Sequence, residues 1–252
     1  MGRARIIPIL TIDRTKLVKT VKFKKPNYLG DPINAIKIFN DKMVDEIVVL
    51  DITCSKEGRE PNYDLIYEMA SECFSPLGYG GGIKSYDQAQ RIFSLGVEKV
   101  IMNSAVLDNP ALVTQIAKGF GSSSTVMSLD VKKTLLGKKK PAFISASKTI
   151  NEDLVTNAKR LEDLGAGELI VHATDIDGTF KGMDREITKL IADAVSIPVI
   201  ACGGAHSIQD MTETIASTGA SAAAGGSVFV YKGQDTRSIL ISYPTPEDII
   251  TR

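Results

Sequence analysis

Short runs of apolar residues alternate with amphipathic stretches along the whole chain. Most of the runs are continuously apolar, which is typical of parallel strands buried on both faces. We predict eight strands, at residues 5–12, 46–52, 76–79, 99–103, 125–131, 168–174, 198–201 and 221–224. Helix-start patterns lie between them, such as Asp31 before Pro32 and Ser85 three residues before Gln88. Eight β–α units favour a (β/α)8 TIM barrel in the α/β class. The alternative, a doubly wound open sheet, lacks its usual early Gly-x-Gly-x-x-Gly turn.

An internal repeat divides the predicted barrel into two similar halves. The segment around Gly82 aligns with the segment around Gly204, and the strand sequence IIPILTID corresponds to TVMSLDVK. Two halves of four units each favour a closed barrel over an open sheet. We therefore predict one (β/α)8 barrel domain over residues 1–252, with half-barrels at about 1–122 and 123–252.

Composition and charge exclude several classes of protein. The chain has 252 residues, which is usual for a single α/β barrel, and 30 basic residues balance 30 acidic ones. Zero net charge argues against a nucleic-acid binder or a polybasic membrane-surface protein. The sequence has no apolar run of transmembrane length, and MGRARIIPIL has no signal-peptide core. The cysteines are scattered, at Cys54, Cys73 and Cys202, so we expect a reducing, cytoplasmic location. With two histidines and no metal-type cluster in the sequence, we expect no metal site, and no cofactor is implied.

Glycine-rich turns follow several predicted strands. Barrel enzymes bind substrate at the C-terminal ends of their strands, where exposed backbone N–H groups can hold anions. Here those ends carry Gly80-Gly81-Gly82, Asn103-Ser104, Gly203-Gly204 and Gly225-Gly226-Ser227. The glycines could instead serve only to make tight turns. Because the pattern occurs twice, on opposite sides of the barrel mouth, we predict two phosphate sites and a substrate with a phosphate at each end.

A basic loop follows the first predicted strand. It contains Lys16, Lys19, Lys22, Lys24 and Lys25. These side chains could close over a polyanionic substrate, although a solvated run of charge is the commoner explanation. Lys19, which lies close to strand one, is the candidate substrate-loop residue.

Seven motifs, in chain order, resemble one known family. RIIPIL, VVLDITCS, YGGGIKS, NSAVLDNP, SLDVK, TDIDGTFKGMD and ACGGA are similar to the cyclase subunit of imidazole glycerol phosphate synthase, over nearly the whole chain. The resemblance implies a (β/α)8 barrel of two half-barrels in histidine biosynthesis. It also implies a heterodimer with a glutaminase subunit at the N-terminal face of the barrel. Ammonia from the glutaminase would pass through the barrel interior and join a bisphosphate small-molecule substrate.

The resemblance also assigns substrate-binding and catalytic positions. Phosphate contacts map onto Gly82, Asn103 and Ser104 at one end of the mouth, and onto Asp177, Gly178, Gly204, Gly226 and Ser227 at the other. A general acid/base aspartate maps onto Asp130 at the end of strand five, a position where an aspartate could also be only a helix cap.

One catalytic position departs from the family. The second family aspartate, at the end of strand one, is replaced by Thr11, and the internal repeat shows the same break because Asp130 aligns with Thr11. A threonine hydroxyl has no ionisable group near neutral pH. Asp13 lies two residues further on and would face the same way in an extended strand, so it is a candidate substitute.

Four charged residues match the family's ammonia gate. They are Arg5, Glu46, Lys99 and Glu168, and each opens a predicted strand. Without the resemblance, an ordinary salt-bridge network at the bottom of the barrel would explain them equally well. With it, we predict an ammonia conduit, and we expect Glu98 on the surface that faces the glutaminase.

These observations favour an enzyme, an ammonia-dependent synthase of the lyase/cyclase type. The main alternative, suggested by Thr11, is an ammonia-channelling paralogue with weakened cyclase chemistry. Such a paralogue would supply a sugar amidotransferase that forms acetamidino groups for surface polysaccharide such as lipopolysaccharide. A non-catalytic scaffold and a sugar-phosphate isomerase are further alternatives, and the gate residues disfavour the isomerase. Neither nucleic acid nor membrane is an expected partner.

Overall fold

The computed structural model describes residues 4–134, 136–143, 146, 148–233, 237–245 and 249. The strands in chain order are β1 (Arg5–Asp13), β2 (Lys16–Val21), β3 (Lys24–Gly30), β4 (Ile47–Asp51), β5 (Leu77–Gly80), β6 (Lys99–Met102), β7 (Thr125–Lys133), β8 (Lys139–Phe143), β9 (Lys148–Thr149), β10 (Glu168–Ala173), β11 (Val199–Cys202), β12 (Ala222–Gly225), β13 (Tyr231–Lys232) and β14 (Ser238–Ile239). Eight of them, β1, β4, β5, β6, β7, β10, β11 and β12, pair in parallel around a closed ring. The predicted (β/α)8 barrel is confirmed, and each predicted strand overlaps one of these eight.

Helices follow the barrel strands and cover their outer faces. They are α1 (Pro32–Asp41), α2 (Cys54–Glu57), α3 (Tyr63–Glu72), α4 (Tyr86–Ser94), α5 (Ala105–Asp108), α6 (Ala111–Phe120), α7 (Leu154–Asp163), α8 (Arg185–Ala192), α9 (Ile208–Thr218) and α10 (Ser227–Val230). The predicted helix starts are confirmed: Asp31 caps α1, with Pro32 in its first turn, and Ser85 and Gln88 form a reciprocal capping box at α4. Among the described residues, no helix is long and apolar enough to cross a membrane.

Side chains along each strand point alternately into the barrel and outward to the helices, which creates two apolar layers. On β1, Ile6 and Leu10 pack outward against the helices, whereas Ile7 and Ile9 point into the barrel. The inner layer is aliphatic and contains Ile7, Ile9, Val48, Ile101, Val126, Ile170, Ile200, Cys202, Ala222 and Ala224. Thr11 continues the inward face of β1 and therefore lies above this layer, at the C-terminal end of the barrel.

The predicted basic loop after strand one is instead an antiparallel meander. β2 pairs with the end of β1, and β3 pairs with β2. The lysines of this segment suggest a solvated loop, but Leu17 and Val18 in β2 are buried. β7 extends in a similar way into β8 and β9, which the sequence analysis did not predict. The division into two half-barrels stays a prediction.

Candidate active site

A cavity opens at the C-terminal ends of the barrel strands, where barrel enzymes bind their substrates. The volume of this cavity, including the open solvent at its mouth, is about 1210 Å³. Ile9, Leu50, Ile101 and Ile170 contribute apolar lining, and they are continuous with the inner layer of the barrel. Polar side chains add to the lining: Thr11, Lys19, Asp51, Asn103, Ser104, Ser128, Asp130, His172 and Asp177. The cavity thus combines an apolar floor with several ionisable groups.

Asp130 lies in this cavity, as the sequence analysis predicted. It is 6% exposed, and the hydroxyl of Ser128 donates to its Oδ1 at 3.2 Å. β7 pairs with β10 so that Asp130 stands directly opposite His172, and His172 Nδ1 is 3.8 Å from Asp130 Oδ1. A carboxylate and an imidazole therefore face each other at the strand ends.

His172 was missed by the sequence analysis. It is 9% exposed, lines the cavity and packs against the ring of Phe23 with 5.0 Å between centroids. Its Nε2 is 3.5 Å from Asp177 Oδ1 but makes no hydrogen bond to the described residues. Burial lowers the pKa of His172, but Cys202 and Asp177 beside it raise it more, so the pKa lies well above its usual value. A histidine near the end of an otherwise apolar strand was the feature that could have identified it.

Lys19 and Asp177 form a buried ion pair beside His172. Lys19 Nζ lies 2.7 Å from Asp177 Oδ2, and both residues are buried. Burial raises the pKa of Asp177, but Lys19 and His172 lower it further, so that its pKa falls well below the usual value. The meander thus brings Lys19 into the cavity as predicted, whereas the other lysines of the segment, Lys16, Lys22, Lys24 and Lys25, are exposed.

Thr11 lines the cavity, but its hydroxyl is engaged. It donates a hydrogen bond to the backbone carbonyl of Val18 across the β1–β2 hairpin. Asp13, the candidate substitute, is not among the residues that line the cavity, and its Oδ1 accepts a hydrogen bond from the Thr53 hydroxyl at 3.0 Å. The structure therefore gives no support to Asp13 as the missing acid/base group.

We expect Thr11→Val to lower the free energy of unfolding by about 1–2 kcal/mol, because the buried Val18 carbonyl loses a donor. Thr11→Ser keeps the hydroxyl and is the matched control. Urea denaturation of both variants and the parent protein measures the difference. Equal stability of the valine and serine variants would contradict a structural role for this hydrogen bond.

One predicted phosphate end lies after β5 and β6. Asn103 and Ser104 follow β6, and both line the cavity together with Gly82. Gly82 has a φ of +76°, and a Cβ there would lie 2.2 Å from Cys54 Sγ, so the turn requires glycine. Its N–H donates to the Ser55 hydroxyl at 3.1 Å. Asn103 Oδ1 is buried without a hydrogen-bond partner among the described residues.

The other predicted phosphate end lies after β10, β11 and β12. Asp177 and Gly226 line the cavity, whereas Gly178, Gly204 and Ser227 do not belong to its lining. A Cβ at Gly204 would lie 2.4 Å from the Gly182 carbonyl oxygen, which again requires glycine. Ser227 Oγ is buried with no partner in the described part of the chain. Each predicted end thus contains one buried polar atom that makes no hydrogen bond to the described residues, but only Asn103 belongs to the cavity lining.

Asp51 is a further carboxylate of the cavity that was not predicted. Its Oδ1 accepts hydrogen bonds from the backbone N–H groups of Thr53 and Cys54, at 3.1 and 2.9 Å, and lies 3.4 Å from Arg59. These bonds hold the turn into α2, which indicates a structural role. Within the described ranges, no group of three His, Cys, Asp or Glu side chains could hold a metal ion.

The four predicted gate residues meet in a closed ring at the opposite end of the barrel. Arg5 binds Glu168 through two nitrogens, at 2.8 and 3.0 Å, and also lies 3.0 Å from Glu46. Lys99 binds Glu46 at 3.0 Å and Glu168 at 3.1 Å. Burial raises the pKa of Glu168, but Arg5 and Lys99 lower it more, so the net pKa is below its usual value. Glu98 beside the ring is exposed, as expected.

Comparisons with known proteins agree with the resemblance in the motifs. The family model described as "Histidine biosynthesis protein" matches residues 5–236. A Pseudomonas aeruginosa protein named "Putative imidazole glycerol phosphate synthase subunit hisF2" is 48% identical over 244 residues, or 97% of each chain. A Vibrio vulnificus protein with the corresponding name for subunit hisF3 is 45% identical over 249 residues, 98% of this chain and 95% of the relative. An Alkaliphilus metalliredigens protein named "Imidazole glycerol phosphate synthase subunit HisF" is 40% identical over 227 residues, 90% of each chain.

Proposed function

The chain belongs to the histidine biosynthesis protein family, with relatives named as subunits of imidazole glycerol phosphate synthase, and from this premise we propose that it is an ammonia-dependent synthase subunit. It would join ammonia to a bisphosphate substrate in the manner of the cyclase subunit that its motifs resemble. The cavity at the C-terminal ends of the strands, with Asp130 inside it, supports this reaction.

A substrate with two phosphates fits the two ends of the cavity mouth. Asn103 and Ser104, whose side chains carry N–H and O–H donors, line the cavity at one end, and Gly226 lines it at the other. The turns at Gly82 and Gly204 leave no room for a Cβ, so no side chain covers the backbone there, although the Gly82 N–H already donates to the Ser55 hydroxyl. Lys19 is a buried cation beside the second end, although Asp177 neutralises part of its charge.

Ammonia would enter from the opposite end of the barrel, supplied by a glutaminase partner. The observation that carries this proposal is the ring of Arg5, Glu46, Lys99 and Glu168, which closes the end of the barrel opposite the cavity. Between the two lies the aliphatic inner layer, where Ala222 and Ala224 are small. Neutral ammonia passes an apolar interior more easily than ammonium. Exposed Glu98 beside the ring would face the partner.

The direct test supplies the purified chain with an ammonium salt and the bisphosphate substrate of the cyclase family. We expect turnover without any glutaminase, because high ammonium replaces the channelled ammonia. We also expect a co-expressed glutaminase to bind the chain and to hydrolyse glutamine faster when bound. Absence of turnover at every ammonium concentration, while the substrate still binds, would contradict the synthase proposal.

Thr11 favours a second candidate function. In this alternative the cyclase reaction is weak, and the chain passes ammonia to a sugar amidotransferase that forms acetamidino groups for surface polysaccharide. The proposal is supported if the chain stimulates a glutaminase and binds a sugar amidotransferase but does not convert the bisphosphate substrate. Cyclase turnover with ammonium distinguishes the two candidates.

A further inference from the structure

We propose that His172 is the second acid/base group of this site and works as a pair with Asp130 in adding ammonia to the substrate carbonyl. The inference rests on the proposed synthase function. His172 would make the proton transfers that Thr11, which has no ionisable group near neutral pH, cannot make. It predicts that the departure at Thr11 does not by itself abolish the cyclase reaction.

The two side chains are held together by the barrel itself. Their strands, β10 and β7, pair in parallel with His172 directly opposite Asp130, and 3.8 Å separates His172 Nδ1 from Asp130 Oδ1. Both residues line the cavity. The distance is longer than a direct hydrogen bond, but catalytic hydrogen bonds are often long before the substrate is bound.

The surroundings of His172 favour its charged form. Asp130 faces it from β7, Cys202 from β11, and Asp177 from the turn after β10, with Lys19 on the far side of Asp177. The pKa of His172 is raised well above its usual value, mainly by Cys202 and Asp177 working against burial. An imidazolium beside a carboxylate gives one proton donor and one proton acceptor in the same site.

Other nearby candidates for this role are occupied. The Thr11 hydroxyl donates to the Val18 carbonyl, and Asp13 is bound to Thr53 outside the cavity lining. Asp51 is held by the backbone of Thr53 and Cys54. His172 Nε2, in contrast, makes no hydrogen bond to the described residues, and its contact with Asp177 Oδ1, at 3.5 Å, is an ion pair.

His172 and Asp130 together can make every proton transfer that imine formation requires. The lone pair of ammonia forms a C–N bond to the carbonyl carbon, the carbonyl oxygen takes the proton of the His172 imidazolium, and the new nitrogen loses a proton to the Asp130 carboxylate. The proton then returns from Asp130 to His172. In the second half, His172 protonates the carbinolamine hydroxyl, the C–O bond breaks, water leaves, and the nitrogen gives a second proton to Asp130, which returns it to His172. One ammonia is consumed, one water is released, and no oxidant is needed.

The kinetic test compares His172→Gln with His206→Gln, the chain's other histidine, which pairs with Asp210 and does not line the cavity. With ammonium as the nitrogen source, we expect His172→Gln to lower kcat about 100-fold and to change KM by less than about threefold. His206→Gln should leave both unchanged. The rate of the parent protein should fall as the pH rises through the pKa of His172, because the protonated imidazole is the proton donor. This fall in rate at high pH should be absent in His172→Gln.

A second measurement does not depend on how well the glutamine variant folds. In the His206→Gln protein His172 is the remaining histidine, so its titration can be followed by NMR. We expect Asp130→Asn in that background to lower the pKa of His172. An unchanged pKa would overturn the pairing. Turnover of His172→Gln within threefold of the parent would overturn this inference alone, whereas a parent protein with no ammonium-dependent turnover would overturn the proposed function as well.

Discussion

Asp130→Asn is expected to lower ammonium-dependent turnover by about 10²- to 10⁴-fold. Asparagine has the shape of aspartate and can still accept the hydrogen bond that the Ser128 hydroxyl donates to Oδ1. It cannot take up a proton from the attacking nitrogen, so the loss should appear in kcat, with substrate affinity nearly unchanged. Steady-state kinetics over a range of ammonium concentrations, with calorimetric binding of the bisphosphate substrate, measures these quantities separately.

Asp13→Asn is the matched control for that experiment. Asp13 carries the same functional group near the same end of the barrel, but it binds Thr53 and does not line the cavity. We expect its turnover to stay within about threefold of the parent, since no proton transfer at the substrate depends on it. A loss comparable with that of Asp130→Asn would show that Asp13 supplies the missing carboxylate and would remove the reason to invoke His172.

The barrel could be predicted from sequence because its signal is local and repeated. Runs such as Ile47–Asp51 and Val199–Cys202 are apolar except at one position at most, which is typical of strands buried on both faces. The meander of β2 and β3 was missed because its lysines suggest a solvated loop, while the burial of Leu17 and Val18 depends on packing against β1. Lysines interspersed with apolar residues do not show which face of the segment will be covered.

The chemistry of the site could be predicted only in part, because it depends on which strands become neighbours. Asp130 was identified through family resemblance, but the pairing of β7 with β10 that brings His172 against it exists only once the barrel closes. The same holds for the ring, in which Arg5 binds Glu168 across 163 positions of sequence. The sequence indicated which charged residues gather at that end, and the partner of each charge came from the structure.

The second large expected effect is on the stability of the protein, and it concerns the ring of Arg5, Glu46, Lys99 and Glu168. Glu168→Gln should lower the free energy of unfolding by about 3–5 kcal/mol near neutral pH, because removing one partner from a buried ion-pair set leaves the others uncompensated. Glu168 and Glu46 are both buried, and together they neutralise Arg5 and Lys99. In the variant two cations would share Glu46 alone. Urea denaturation of parent and variant measures the difference.

The pH dependence of that difference follows from the pKa of Glu168. Burial raises this pKa, but Arg5 and Lys99 lower it more, so in the folded protein the pKa lies below the usual glutamate value of 4.5. The stabilisation by Glu168 is therefore fully present above pH 4.5 and is lost as the pH falls through the folded-state pKa, so the stability gap between parent and Glu168→Gln should narrow in acid. Exposed Glu98→Gln is the control and should change stability by less than about 0.5 kcal/mol. A gap that is small near neutral pH, or constant with pH, would mean that the Glu168 carboxylate contributes no net stabilisation through the ring.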